Sequence, residues 1–261
     1  MSPGPRQWIV LFLLGMGASL PSLGGELTAE QVRELVHRAG GNNVADLSGK
    51  DLSDLDLSDT DFKKANLSGA NLFGSRLVSS NLAGAKLTRS NLNGAWLMGT
   101  NLAGADLSGS SMLGLVILGG PVKQKPNLAG ANLSGVRMIA DLPGTDLRRA
   151  DLSRADLGVD IRNQGMGQMR TDLSGANLEG ANLSSANLNR ALLQFANLKG
   201  ANLSNSKLYG ARLSGADLTG ADITGADFTE ADLDGTILKN VNGIDAAKGM
   251  DKATNRDKAI H

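Results

Sequence analysis

Residues 65–109 read as nine consecutive five-residue units: ANLSG ANLFG SRLVS SNLAG AKLTR SNLNG AWLMG TNLAG ADLSG. Leucine stands at the centre of every unit, a small residue stands two positions before it, and Asn or Asp most often lies between them. A period of five fits neither an α-helix, with 3.6 residues per turn, nor a simple strand, which alternates every two residues. The pattern therefore predicts a chain that turns a corner every five residues.

The same spacing continues on both sides of this stretch. It begins near Leu47, and a second long register runs from Leu173 to Leu238, with shorter tracts in shifted phase between the two blocks. If leucine and the small residue point inward, four units make one square coil, and coils stack at the ~4.8 Å spacing of strands. Residues 20 apart then lie above one another, so that Leu67 lies below Leu87.

The A-[DN]-L-x-x pattern, as in Ala65-Asn66-Leu67-Ser68-Gly69, resembles the repeat of the pentapeptide-repeat family. The resemblance covers about residues 45–238. It implies an all-β fold, a right-handed quadrilateral β-helix in which repeats stack as a solenoid. The left-handed hexapeptide β-helix of acyltransferases would need a period of six, which these registers exclude.

The chain divides into six predicted segments: a signal peptide at 1–25, an N-terminal capping helix at 26–41, a first repeat block at 42–117, irregular repeats with two loop insertions at 118–172, a second repeat block at 173–238 and a polar C-terminal tail at 239–261. Thr28 and Gln31 have the spacing of a capping box, which places the helix start at about Ala29. The start of the tail is expected to cover the last coil through Val241 and Ile244, and the remainder is expected to be loose.

The first 25 residues favour export. Arg6 precedes a short apolar run, Trp8 to Leu14, and small residues follow up to Gly25, as in a secretory signal peptide. The run is shorter than the ~20 apolar residues of a membrane-spanning helix. The predicted location is the periplasm, or otherwise the extracellular space or a thylakoid lumen. The alternative is a buried or membrane-associated N-terminal helix.

The scarcity of residues suited to catalysis indicates that the protein is not an enzyme. The chain has no cysteine and two histidines, His37 and His261, from which no catalytic triad or metal cluster can be assembled. We therefore expect no catalytic residues, no metal and no cofactor. The aspartates between Asp46 and Asp61 could bind calcium, but their spacing does not match an EF-hand loop, and ligands radiating from a square would not converge.

A cluster of large apolar residues at outward positions is the predicted interaction patch. Its members are Phe73, Val78, Trp96, Met98, Leu113, Val116 and Leu118. Outward sites elsewhere are mostly Ser, Thr, Asn or Gly, so such a cluster needs a reason. Either a partner or a second protomer packs there, or the loop at 118–127 folds back over it, and we favour the loop slightly.

Three functions compete. The first is a non-enzymatic exported solenoid that acts as a protein-interaction or structural scaffold through its side faces, with an unidentified protein or envelope component as partner. The second, which the family resemblance suggests, is a DNA-mimicking topoisomerase or gyrase binder of the quinolone-resistance type. It calls for a strongly acidic cytoplasmic rod, whereas the formal net charge here is +0 and the middle, around Arg148 and Arg190, is basic. The third, an enzyme, lacks a catalytic constellation. We favour the scaffold, expect neither nucleic-acid binding nor a membrane span in the mature chain, and leave a homodimer open.

Overall fold

The computed structural model describes residues 27–39, 44–117, 124–159 and 170–261. Its backbone is built from stacked coils joined by parallel β-bridges, such as Asp46 to Asn66 and Asn66 to Lys86. Within each regular block the bridged residues are 20 apart, as the five-residue period predicts. Four positions per coil are bridged in this way, one in every five-residue unit.

The bridged residues form four columns that run along the stack. Column A comprises Asp46, Asn66, Lys86, Asp106, Asn132, Asp151, Asn182, Asn202, Asp222 and Asn242. Column B comprises Asp51, Asn71, Asn91, Ser111, Arg137, Asp156, Asn187, Lys207, Asp227 and Lys248. Column C comprises Asp56, Arg76, Trp96 and Val116, followed by Asp141, Asp172, Leu192, Arg212, Asp232 and Thr254. Column D comprises Asp61, Asn81, Asn101, Asn127, Asp146, Asn177, Asn197, Asp217, Ile237 and Ile260. We call each column, together with the turns that follow its residues, a side of the solenoid.

The conformation of each five-residue unit is determined by the residues of that unit. Leu67 is fully buried, and its N–H donates to the Lys86 carbonyl oxygen of the next coil at 2.7 Å. Gly69 makes the corner with φ +67°, a left-handed conformation that costs glycine little. The Asn66 Oδ1 accepts the Ser68 N–H at 3.2 Å, and its Nδ2 donates to the Asp46 carboxylate of the coil below at 3.0 Å. The recurrent Asn or Asp therefore closes the turn and ties neighbouring coils together.

Two short strands mark the irregular middle of the stack. Strand β1, Ser111–Leu113, pairs in parallel with β2, Arg137–Ile139. In chain order, Asn127 of column D follows Val116 of column C by eleven positions, and Asp172 of column C follows Asp156 of column B by sixteen. The column spacing consequently departs from 20 here, to 26 between Ser111 and Arg137 and to 31 between Asp141 and Asp172.

Helix α1, Ala29–Arg38, lies against the first coil. The predicted capping box is present: the Thr28 hydroxyl accepts the Gln31 N–H, and the Gln31 side chain accepts the Thr28 N–H. Val32 is completely buried in the common core, and an Arg33 guanidinium nitrogen donates to the Asp56 carbonyl oxygen at 2.6 Å. No helix in these described ranges is long and apolar enough to cross a bilayer.

The C-terminal residues continue the solenoid, in contrast to the loose tail that we expected. Asn242, Lys248, Thr254 and Ile260 bridge to the four columns of the preceding coil. Their spacing is six rather than five in all three intervals, and 3₁₀-helices at Ile244–Ala246 and Arg256–Lys258 occupy two of these intervals. Small apolar residues keep this new period and pack against the core: Val241, Ala247, Ala253 and Ala259.

Candidate protein-interaction surface

The aromatic side chains of the described residues separate into two groups. Phe62 and Phe228 replace leucine at inward positions and are buried. The outward aromatic side chains all lie on two adjoining sides of the solenoid: Phe73 and Tyr209 on side B, Trp96 and Phe195 on side C. We call these two sides together the B–C surface. In the described ranges sides A and D carry no outward aromatic residue.

The lower part of the B–C surface is built around Arg76 and Trp96. The Arg76 guanidinium lies 4.6 Å from the Trp96 ring centroid, within the range of a cation–π contact, and its Nε lies 3.8 Å from an Asp56 carboxylate oxygen. Hydrogen bonds from Ser58 hold the pKa of Asp56 below its usual value, and the Arg76 charge adds to this effect. Phe73, about half exposed, lies on side B beside this group.

The upper part repeats this arrangement. The Arg190 guanidinium lies 5.9 Å from the Tyr209 ring centroid. A hydrogen bond to the Glu230 carboxylate raises the pKa of Tyr209. Phe195 follows on side C with 74 % of its surface exposed and with φ +59°, a backbone region that a bulky residue rarely adopts. Its ring lies over Gly215, where an added Cβ would come within 2.6 Å of a ring carbon.

The predicted patch falls on this surface, with one departure. Phe73 is exposed and Val78, Trp96, Leu113 and Val116 are half-buried, whereas Leu118 lies outside the described residues. Met98 occupies an outward position but is only 2 % exposed, so it offers no contact area to a partner. The chain returning at 124–126 runs beside its turn, since the Gly99 N–H donates to the Gln124 carbonyl oxygen at 2.7 Å.

The sequence-based patch missed the upper part of the surface. Leu192, Phe195 and Tyr209 all stand at outward positions of the second register, so the five-residue pattern already marks them as exposed. The pattern does not show on which side of the solenoid these residues lie. Aligning them with Trp96 requires the irregular column spacings across the insertions, which are 26, 19 and 31 along column B and 25 and 31 along column C. These spacings follow only from the bridges of the neighbouring coils.

Charge also distinguishes the middle of the B–C surface. From Phe73 up to Arg212, basic side chains outnumber acidic ones among its described residues. The basic residues are Arg76, Lys125, Arg137, Arg170, Arg190, Lys207 and Arg212, and the acidic ones are Asp141, Asp156 and Asp172. Such a field attracts an acidic partner.

In the described ranges no three His, Cys, Asp or Glu side chains are placed to hold a metal ion. The Asp51 and Asp222 carboxyl groups owe their lowered pKa chiefly to hydrogen bonds from Ser53 and Thr224, two residues later in each case, and both lie on open sides of the solenoid. What the B–C surface offers is contact area: aromatic rings, guanidinium groups and aliphatic side chains.

A profile for pentapeptide repeats matches the sequence in eight copies, over residues 45–77, 75–112, 140–158, 171–208 and 201–240. The chain is a pentapeptide-repeat protein. Members of this family form right-handed β-helical solenoids and are generally non-enzymatic structural or interaction proteins.

Solved structures of the same family are similar to this pentapeptide-repeat protein. HetL, involved in heterocyst differentiation regulation in the cyanobacterium Nostoc, is 30% identical, with 90% of this chain and 100% of HetL covered and a TM-score of 0.50. Rfr23 from the cyanobacterium Cyanothece is 30% identical over 46% of this chain and 90% of its own, with a TM-score of 0.25. QnrB1, a plasmid-mediated fluoroquinolone resistance protein, is 23% identical over 80% and 87%, with a TM-score of 0.32. Among curated proteins, none matches the sequence.

Proposed function

We propose that this pentapeptide-repeat protein is an exported, non-enzymatic scaffold that binds another protein through the B–C surface. One observation carries the proposal: every outward aromatic side chain of the described residues lies on these two adjoining sides. The surface extends from Phe73 to Tyr209 across six coil steps, roughly 29 Å at ~4.8 Å per step. Exposed aromatic and arginine side chains are the residues that most often dominate binding energy at protein interfaces.

The turn hydrogen bonds that are missing on side C also support binding through this part of the surface. On sides A and D the bridged residue is mostly Asn or Asp, which accepts the N–H two residues on, as Asn101 does from Ala103 at 3.2 Å. Trp96, Val116 and Leu192 on side C cannot make this bond. Each such bond contributes on the order of 1 kcal/mol. Side C therefore gives up stability at these positions, which is expected where residues are kept for binding.

The remaining parts of the proposal concern architecture and location. We take the four columns as the sides of a quadrilateral coil, with α1 covering its N-terminal end so that no bare strand edge is left there. Export is supported by the composition of residues 1–25, which lie outside the described residues. HetL is involved in heterocyst differentiation regulation, and by analogy we take the partner here to be a regulatory protein. The proposed export makes an envelope component the other candidate.

Site-specific cross-linking tests the surface. A photo-reactive benzoylphenylalanine replaces Phe195 on side C or, as a matched control, Asn205 on side A. Both residues are exposed corner residues with positive φ, +59° and +56°, so the photo-reactive side chain stands at the same kind of corner in both variants. In the native host, light should produce a discrete protein adduct from position 195 and none from position 205. Equal adduct patterns from the two positions, or none from either, would refute binding through the B–C surface.

Cell fractionation with N-terminal sequencing tests the export. A mature chain that starts near residues 19–26 and lies outside the cytoplasm is the expected result. A cytoplasmic chain that keeps Arg6 and the following apolar run would contradict export and would revive the gyrase-binding alternative.

A further inference from the structure

One side of one coil is a residue too short. The inward residues Met138 and Leu142 are four apart rather than five, so Asp141 is not in register with Val116 below it. Columns A, B and D continue through this level, whereas in the described part of column C no bridge joins Val116 to Asp141. The short side leaves a cavity of about 450 Å³ at the edge between sides B and C. We call this cavity the notch.

The lining of the notch combines non-polar residues with one acidic and one basic residue. Its members are Gly114, Leu115, Ile139, Ala140 and Leu192, together with Asp141 and Arg170. Leu115 and Ile139 are 8% and 7% exposed, and Leu115 belongs to the common core, so the wall that an entering side chain would meet is already packed in place. The volume falls within the range of pockets that hold small ligands or anchoring side chains.

The position of the notch matters as much as its lining. Column C places it between Trp96 and Phe195, which are separated by four coil steps. Hot spots of protein interfaces cluster near the centre of the contact area, in pockets from which water is excluded. The basic side chains around the notch outnumber the acidic ones. Arg137 lies in its own coil and Arg170, Arg190 and Arg212 lie in the coils above, against Asp141, Asp156 and Asp172.

We propose that the notch receives one large apolar side chain of an acidic segment of the partner protein, and that this side chain anchors the complex. The inference rests on the proposed function and names the chemistry of its partner. The apolar lining selects the anchor, and the basic surroundings select the acidic residues beside it.

Disulfide tethering tests the notch without knowledge of the partner. The sequence contains no cysteine, so a single introduced thiol reports on one place. Ser174→Cys lies on side C one coil above Asp141, and Ser184→Cys is its control on side A. The two serines lie in the same coil, both half-buried and both donating their N–H to the preceding Asp or Asn. Each variant is equilibrated with mixed disulfides that carry naphthyl-aspartate, naphthyl-lysine or hydroxyethyl groups, and adducts are counted by intact mass.

The naphthyl-aspartate adduct should form several-fold more at position 174 than at position 184, and it should exceed the naphthyl-lysine adduct. Leu192→Asn should reduce this preference at position 174. This variant restores the residue type usual in the columns and is therefore expected to fold. Equal capture at both positions, or a preference for lysine, would overturn the proposal. A disulfide-linked dimer of Ser174→Cys that Ser184→Cys does not form would also overturn it, since a second copy would then be the occupant.

The two proposals fail separately. If Leu192→Asn leaves the light-induced adduct from position 195 intact, the B–C surface still binds the partner, but the notch is not its anchor point. If no adduct forms from position 195 while tethering remains selective, the notch binds acidic apolar groups, but the wider surface is not the protein-binding site.

Discussion

Leu183→Ala is the change that tests the stacked core most directly. The Leu183 side chain is fully buried on side A, near the start of the second block and with coils both above and below it. Its own N–H donates to the Asn202 carbonyl oxygen at 2.7 Å, and the Asn182 N–H donates to the Ala150 carbonyl oxygen at 2.9 Å. The coils above and below are thus held at strand spacing and cannot close in on a cavity. Leu→Ala substitutions cost about 2–5 kcal/mol, more when the site cannot collapse, so we expect a loss of roughly 4 kcal/mol.

Urea denaturation followed by far-UV circular dichroism measures this loss. Ser184→Ala is the control: it removes a half-buried hydroxyl from the next residue and should change the free energy of unfolding by no more than about 0.5 kcal/mol. Because coils of a repeat protein contact only their neighbours, the loss should be local. Amide exchange should therefore quicken at Leu152 and Leu203 before it does at Leu57. A midpoint shift for Leu183→Ala no larger than that of Ser184→Ala would refute the inward assignment of the leucines.

Two further predictions concern the glycine corners and the aspartates of the columns. In thermal unfolding, Gly215→Ala should lower the midpoint more than Gly175→Ala does, because both glycines have positive φ but only at Gly215 would the new Cβ collide with the Phe195 ring. Adding Phe195→Ala to Gly215→Ala should remove this extra destabilisation. Equal midpoint shifts for the two single changes would contradict the packing of Phe195 over Gly215. In acid, the folded protein should lose stability because hydrogen bonds from Thr224 hold the pKa of Asp222 below its ordinary value. That contribution is complete above about pH 4 and is lost as pH falls through the lower folded pKa; Asp222→Asn should give a flatter profile of unfolding midpoint against pH, and an unchanged profile would argue against the contribution.

The sequence was sufficient to predict the regular coils, because the residues that determine the conformation of each unit lie within that unit. Leu67 can only be buried, Gly69 can turn the corner, and Asn66 bonds both the turn and the coil below. A unit repeated in this way needs no long-range information beyond the spacing of 20. The capping box of Thr28 and Gln31 was predictable for the same reason, since its partners lie three residues apart.

The C-terminal coil was missed because its period changes. Val241, Ala247, Ala253 and Ala259 recur every six residues and stand directly before the bridged residues. A search restricted to a period of five with leucine at its centre reads this stretch as a polar tail. The signal was present in the small apolar residues, and the extra residue per side is accommodated in the turns, two of which contain 3₁₀-helices.

The B–C surface was only half predictable, because the insertions hide the register. Trp96 and Val78 were recognised within one block, where spacing alone assigns a side. Leu192 and Phe195 lie beyond two insertions and a shortened side, and no local pattern counts the residues that those features add. Tertiary bridges decide where the second block resumes, and therefore which of its outward residues face the same way as Trp96.

The ladders also show where the molecule departs from its own stabilising pattern. Asp occupies all four bridged positions of the coil from Asp46 to Asp61 and again of the coil from Asp217 to Asp232, yet each of these aspartates stacks on Asn, Arg, Lys, Thr or Ile rather than on a second carboxylate. Among the described bridges, the Asp141–Asp172 pair is the exception. This pair lies beside Arg170 at the notch, on side C. The same side lacks the turn hydrogen bonds at Trp96, Val116 and Leu192, and both insertions adjoin it in the chain. Like charges facing each other across a ladder are destabilising. Departures gathered on one side, in a chain that otherwise repeats a stabilising unit, are the pattern expected where binding rather than folding determines the residues.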